Sequence, residues 1–249
     1  MEAANIGPGD TVLEIGPGIG VLTFKLAELA EQVIAIELEP ALAGYLEREA
    51  KSRGVTNIEI IRGDALAVEL PSFTKVVSNL PYNISSPLLF RLLEQDFEDG
   101  VLMFQKEFAE RLLAEPGTKR RGALTLNAGY HAEFTGLIDV PAHEFHPVPQ
   151  VDSIVVGLKK RPFPHEIVDI EMYLRLITIV FQHRRRTLRN GILMGFMNLP
   201  GMGGIGKEEF KSEILEIIPG DLLTLRPEAM STVQMVELAN SLSGIARTH

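Results

Sequence analysis

Thr11-Val-Leu-Glu-Ile15 runs directly into Gly16-Pro-Gly-Ile-Gly20. The first segment is apolar and β-branched apart from Glu14, the pattern of a strand buried on both faces. The glycines after it permit a tight turn and a close approach of main chain to a ligand. A helical pattern follows from about Gly20 to Ala30, then a second apolar run, Val33–Ile36, and a second helical pattern from Ala41 to about Arg53. Strand, helix, strand, helix in this order requires a parallel sheet. Ile58–Ile61, Lys75–Ser78, a helix after Pro87, Gly100–Phe104 and a helix from Lys106 to Ala114 continue the alternation. The class is therefore α/β, doubly wound. Glu133–Val140 and Ser153–Lys159, separated by the turn-rich Pro141–Pro149, predict an antiparallel pair at one sheet edge.

Beyond Arg161-Pro-Phe-Pro164 the character changes. Met172–Phe181, Thr187–Met197, Glu208–Ile217 and Thr232–Leu242 all carry helical periodicity, with no strand pattern between them. This predicts two domains, 1–162 and 163–249, the second all-helical. Gly201-Met-Gly-Gly-Ile-Gly206 follows no strand and is a loop rather than a phosphate-binding turn.

Composition narrows the function classes. The 249 residues are 45% hydrophobic, enough for a substantial core. No cysteine is present, which excludes disulfides, thiolate metal sites and a cysteine nucleophile. The apolar runs are too short to span a bilayer, and Met1 is not followed by a basic-then-apolar signal, so the expectation is a soluble cytoplasmic chain with no membrane partner. His143 and His146 have no carboxylates in a ligand constellation, and no metal site is predicted. Met194, Met197, Met230 and Met235 are expected in the core. The net charge of −9 argues against a nucleic-acid partner. Its distribution argues the other way: acidic residues crowd the first part of the chain, and cations gather at Lys119-Arg-Arg121, Lys159-Lys-Arg161 and Arg184-Arg-Arg186 with Arg189.

The glycine-rich turn alone would suit a dinucleotide. Glu14 beside it is a poor neighbour for pyrophosphate and a good one for a cationic sulfonium and amino acid, so S-adenosylmethionine is the expected cofactor. Gly16, Gly18 and Gly20 form the turn. Glu37, closing the second strand and followed by Leu38, is placed to accept from ribose hydroxyls. Asp64, in Gly63-Asp-Ala65, is placed to accept from an adenine amino group, with Ala65 donating a main-chain N–H; Leu38 and Asn79 complete the expected cofactor-binding set.

Asn79-Leu-Pro-Tyr82 ends the fourth strand, where open α/β sheets put their substrates. An exocyclic adenine amine is a weak nucleophile because its lone pair is delocalised into the ring. The Asn79 side-chain carbonyl and the Leu80 main-chain carbonyl are expected to accept one amine hydrogen each and turn the nitrogen toward tetrahedral geometry. Pro81 stiffens the turn and Tyr82 stacks on the base. Phe145, in the proline-stiffened loop Glu144–Ser153, offers a second ring opposite Tyr82. Such a site works by positioning and electrostatics, without a separate general base. The motif by itself leaves DNA and RNA open as substrates.

The motifs Leu13–Gly20, Gly63–Ala65, Asn79-Leu-Pro-Tyr-Asn-Ile-Ser-Ser-Pro87, Met103-Phe-Gln-Lys-Glu-Phe108, Phe145–Ser153 and Arg184-Arg-Arg-Thr-Leu-Arg189 resemble the small-subunit ribosomal RNA adenine dimethyltransferase family, in its archaeal form. The resemblance implies a Rossmann-like S-adenosylmethionine-dependent methyltransferase sheet with a small C-terminal helical domain that contacts RNA. It implies dimethylation of two neighbouring adenosines near the 3′ end of small-subunit ribosomal RNA, on a monomeric enzyme acting late in assembly of the small ribosomal subunit. Asn79, Leu80, Tyr82 and Phe145 fall on its acceptor positions, and Glu14, Gly16, Gly18, Glu37 and Asp64 on its cofactor positions. Arg120, Arg121, Arg184, Arg185, Arg186 and Arg189 are expected to meet RNA phosphates. Family members carry a helix and a Gly-Gln-x-Phe-Leu-like segment ahead of the first strand, helping to enclose the cofactor; Met1 stands almost at that strand, and the expectation is a chain lacking the segment. Gly122-Ala-Leu-Thr125 departs from a family Arg-Leu-Ser. Rival readings are a large-subunit RNA or DNA adenine methyltransferase, and a non-catalytic assembly or transcription factor on the same fold.

Overall fold

The computed structural model describes residues 2–248. The strands are β1 (Thr11–Ile15), β2 (Gln32–Glu37), β3 (Ile58–Arg62), β4 (Lys75–Asn79), β5 (Asp99–Gln105), β6 (Ala132–Val140) and β7 (Ser153–Lys160). They form one sheet in the order β3-β2-β1-β4-β5-β7-β6. Contacts from β3 through β5 are parallel, and β7 pairs antiparallel with both β5 and β6. The predicted antiparallel pair exists, but β7 inserts between β5 and β6, so β6 alone forms that edge. The chain reverses its direction of travel across the sheet between β1 and β4, and a crevice opens there beyond the carboxyl ends of the strands.

Helices α1 (Val21–Ala27), α2 (Pro40–Arg53), α3 (Ser85–Leu93) and α4 (Lys106–Leu112) connect the parallel strands and lead away from β5. Val12, Leu13 and Ile15 of β1 and Val33–Ile36 of β2 are buried, as central strands covered on both faces should be. Gly20 ends the glycine-rich turn at φ +87°, and a Cβ there would stand 2.5 Å from Leu46 and 2.7 Å from the Phe24 ring. Only glycine lets the turn close onto α2 in this way.

The remaining helices are α5 (Ala123–His131), α6 (Ile170–Gln182), α7 (Leu188–Gly195), α8 (Lys207–Ile217), α9 (Gly220–Thr224) and α10 (Thr232–Thr248). The chain clusters into two units. One holds the residues up to Leu113 with His131–Pro162, the other Ala114–Tyr130 with the chain from Phe163 onward. The stretch 114–130, which the sequence reading kept in the first domain, thus belongs to the helical unit. Leu126 of α5 joins the same core as Met172, Leu176, Ile192, Phe210 and Leu238. Met230 and Met235 are buried in that core, whereas Met194 and Met197 are more than half exposed, correcting the expectation that all four are core residues.

Candidate active site

The crevice is made where β1 and β4 part. Their main-chain pairing covers Val12↔Lys75 and Leu13↔Val76. Two residues further on, the buried Ser78 hydroxyl takes over, donating to the Ile15 carbonyl at 2.6 Å and accepting from the Ile15 N–H at 3.3 Å. Both polar groups of Ile15 stay satisfied while the strands end and the chain turns away on each side. Gly16 leaves β1 at φ +69°, its N–H donating to the Ile36 carbonyl at 2.9 Å. A Cβ on Gly16 would lie 3.5 Å from the Pro81 ring, so the glycine turn and the Asn79–Tyr82 turn are immediate neighbours.

A cavity of about 340 Å³ opens at this point, lined by Gly16, Asn79, Leu80, Pro81, Tyr82, Phe145, Pro147 and Pro149. It joins the first residue of the glycine turn, the whole Asn-Leu-Pro-Tyr turn and the proline-rich loop ahead of β7. Leu80 is buried, which fixes the main chain from which its carbonyl projects, while Asn79 is exposed at the strand end. The Ser85 hydroxyl donates to the Pro81 carbonyl at 3.2 Å, tying the turn to the start of α3. The Tyr82 and Ser153 hydroxyls are 2.7 Å apart, which anchors the Tyr82 ring to the first residue of β7. Phe145 reaches the cavity from a loop whose Ala142 N–H donates to Asp152 Oδ1 at 2.9 Å.

Of the expected cofactor residues, Glu37 bonds the glycine turn directly, while Glu14, Leu38, Asp64 and Ala65 are not among the residues that line the cavity. Glu14 is 3% exposed, and one of its carboxylate oxygens has no hydrogen-bond partner among the described residues. Burial, partly offset by the Thr23 hydroxyl and aided by the nearby Glu37 charge, pushes its carboxyl up to about 7. Glu37 is also buried, and its carboxylate accepts from the Gly18 N–H at 3.1 Å and the Glu39 N–H at 2.9 Å. It therefore holds the turn as well as facing it, and an ionised carboxylate has capacity for further donors. Asp64 is exposed and accepts from the Leu66 N–H at 2.8 Å; Ala65 is buried and Leu38 is 60% exposed. An orphaned buried carboxylate, a glycine cradle and two strand-end carboxylates suit a cationic amino acid joined to a nucleoside. Among the described residues no group of three metal-ligating side chains occurs.

In the helical unit the expected phosphate ligands divide. Arg120, Arg184, Arg185 and Arg186 are exposed and Arg189 is half-buried. Arg184 donates to the Lys119 carbonyl at 2.6 Å, which brings two basic clusters together. Arg184–Arg186 sit in the turn between α6 and α7, after the helix has ended at Gln182, rather than on a helix. Arg121 is only 3% exposed and is removed from the set of surface cations. Its guanidinium donates to Thr232 Oγ1 at 3.3 Å and stands in the field of Tyr173, whose hydroxyl burial pushes up to about 12. The Arg121 N–H bonds the Thr118 carbonyl, and this reversal turns the third residue of the basic run inward.

Ser78, Ser85 and Ser153 are not singled out by the sequence. Ser78 carries a faint signal as a polar residue closing an otherwise apolar buried run, Ser85 acts locally on Pro81 four residues back, and the partner of Ser153 lies 71 residues away.

The family model described as ribosomal RNA adenine dimethylase matches residues 1–203. A probable ribosomal RNA small subunit methyltransferase A of Methanosarcina acetivorans is 43% identical over 97% of this chain and 87% of its own length. Its namesake from Methanothermobacter thermautotrophicus is 39% identical over 99% and 85%. Among solved structures, a dimethyladenosine transferase from Plasmodium falciparum superposes with a TM-score of 0.83 at 30% identity, covering 95% of this chain and 91% of that one. The 23S rRNA methyltransferase ErmE superposes at 0.69 with 27% identity over 97% and 94%.

Proposed function

Because the chain belongs to the ribosomal RNA adenine dimethylase family, we propose that it methylates N6 of two adjacent adenosines near the 3′ end of small-subunit ribosomal RNA, within an assembling subunit in the cytoplasm. Bound S-adenosylmethionine supplies the electrophilic methyl group. Glu14 would face its positive end, Glu37 would accept from its ribose hydroxyls, and Asp64 and Ala65, with Leu38 nearby, would hold its adenine. The observation that carries the reading is the single cavity where Asn79, Leu80, Tyr82 and Phe145 meet Gly16.

In that cavity the Asn79 side-chain carbonyl and the Leu80 main-chain carbonyl accept the two hydrogens of the target amine. Their pull localises the nitrogen lone pair and directs it toward the glycine turn. Tyr82, held by Ser153, stacks on one face of the extruded base, and Phe145 closes on the other. A second methylation needs one hydrogen acceptor fewer and more room, which an open-sided cavity allows. Arg120, Arg184, Arg185, Arg186 and Arg189 receive phosphates and set the RNA by shape rather than by base sequence.

Small-subunit over large-subunit RNA is favoured by the relatives of 38–43% identity that carry the small-subunit name over most of their length. The test is methyl incorporation from labelled S-adenosylmethionine into undermethylated small subunits, naked large-subunit RNA and duplex DNA, with nucleoside analysis of the product. Dimethyladenosine in small subunits alone is expected; equal labelling of the other substrates with small subunits inert would overturn the assignment.

A further inference from the structure

The turn after β3 has no secondary structure of its own to hold it: residues 63–74 contain neither helix nor strand. Asp64 organises its first part. The Asp64 carbonyl accepts from the N–H groups of Ala67 at 2.8 Å and Val68 at 2.9 Å, and its side chain accepts from Leu66. The remaining anchor comes from α3. The half-buried Arg91 donates from one terminal nitrogen to the Leu66 carbonyl and from the other to the Val68 carbonyl.

The same helix begins at Ser85, whose hydroxyl holds the Pro81 carbonyl of the acceptor turn. One rigid element thus grips the acceptor turn at its N-terminal end and the Asp64–Val68 turn near its C-terminal end. A planar guanidinium can meet two carbonyls at once in a fixed relation, which a lysine ammonium cannot. Nothing in the transfer chemistry uses Arg91 directly.

We propose that Arg91 is a positioning residue, a strut through which α3 sets the adenine-binding turn at Asp64–Val68 relative to the acceptor turn. The proposal rests on the reading that Asp64 and Ala65 receive the adenine of the cofactor. It makes Arg91 a determinant of cofactor affinity, acting through the turn it holds.

The experiment is calorimetric titration of the full chain with S-adenosylhomocysteine, for the parent, Arg91→Met, Arg91→Lys, Asp64→Ala and the Arg91→Lys/Asp64→Ala pair, with the KM for small subunits measured beside it. Losing two charge-assisted hydrogen bonds to the turn should weaken ligand binding about tenfold in Arg91→Met. Arg91→Lys, which keeps the charge and one bond, should recover part of that loss and guards against a simple failure to fold. The KM for small subunits should stay within about twofold, and the double variant should lose less than the sum of its parts because both changes act on one turn. Parent-like affinity in both Arg91 variants, with Asp64→Ala weakened, would overturn the strut and leave the adenine reading intact. Parent-like affinity in Asp64→Ala would overturn both.

Discussion

The Ser78 hydroxyl holds both main-chain polar groups of Ile15, 63 residues away in sequence, at the point where the β1–β4 ladder ends. One side chain thereby replaces a rung of the sheet and lets the glycine turn and the acceptor turn leave side by side. Ser78→Ala would leave the Ile15 N–H and C=O buried and unpartnered, a loss of about 1–3 kcal/mol. We expect a lower Tm together with a fall in kcat/KM larger than Ser85→Ala produces, measured by thermal denaturation and methyl incorporation. Unchanged stability in Ser78→Ala would mean that the strands hold the crevice open without it.

Glu14 couples protonation to both stability and binding. Its carboxyl is raised from 4.5 to about 7, chiefly by burial, with the Thr23 hydroxyl opposing and the Glu37 charge adding. A carboxyl raised in the folded state weakens folding at pH above its unfolded value: the cost grows from about 4.5 to about 7 and is constant above. It amounts to about 3 kcal/mol at most. Glu14→Gln should therefore raise the Tm of the ligand-free chain at pH 8 by roughly 5 °C, with the gain fading as pH falls toward 4.5. A cationic ligand favours the ionised form, so S-adenosylmethionine affinity should climb with pH to about 7 in the parent and be flat in Glu14→Gln.

Tyr82→Phe keeps the ring and removes its anchor on Ser153. We expect kcat to fall about fivefold, the equivalent of one hydrogen bond, with S-adenosylmethionine affinity unchanged. Steady-state kinetics with both substrates varied separates this from a change at the cofactor side.

Arg120 and Arg121 should behave as opposites despite adjacency. Arg121→Ala empties a buried position and removes the donor to Thr232 Oγ1, costing about 1–3 kcal/mol of stability. Arg120→Ala should weaken RNA binding, with a shallower salt dependence, and should lower the Tm by less than Arg121→Ala does. Thermal denaturation and filter binding over a salt series distinguish the two.

The sheet and the long helices were legible because buried parallel strands read as apolar runs and surface helices as periodic ones; β1 matches the sequence expectation residue for residue. Helix α5 escaped notice because Ala123–His131 mixes small, polar and aromatic residues without a clear apolar stripe. Its placement with the helical unit depends on long-range packing that no local pattern encodes. At the site, Asn79–Tyr82 and the glycine turn were legible because turn chemistry and strand ends announce themselves locally. Ser78, Ser153 and Arg91 were not, since each acts on a partner 23 to 71 residues away. Arg121 was misread because a run of three cations ordinarily marks a solvated face, and a tight turn here points one of them inward.

In the proposed mechanism Asn79 and its neighbours present an adenine amine for methyl transfer. The decisive measurement is methyl incorporation into undermethylated small subunits by the parent chain and Asn79→Ala, with S-adenosylhomocysteine affinity measured in parallel. Loss of at least about a hundredfold in rate, with ligand affinity within about threefold of the parent, is the expected result. An Asn79→Ala chain that methylates small subunits at the parent rate would contradict it.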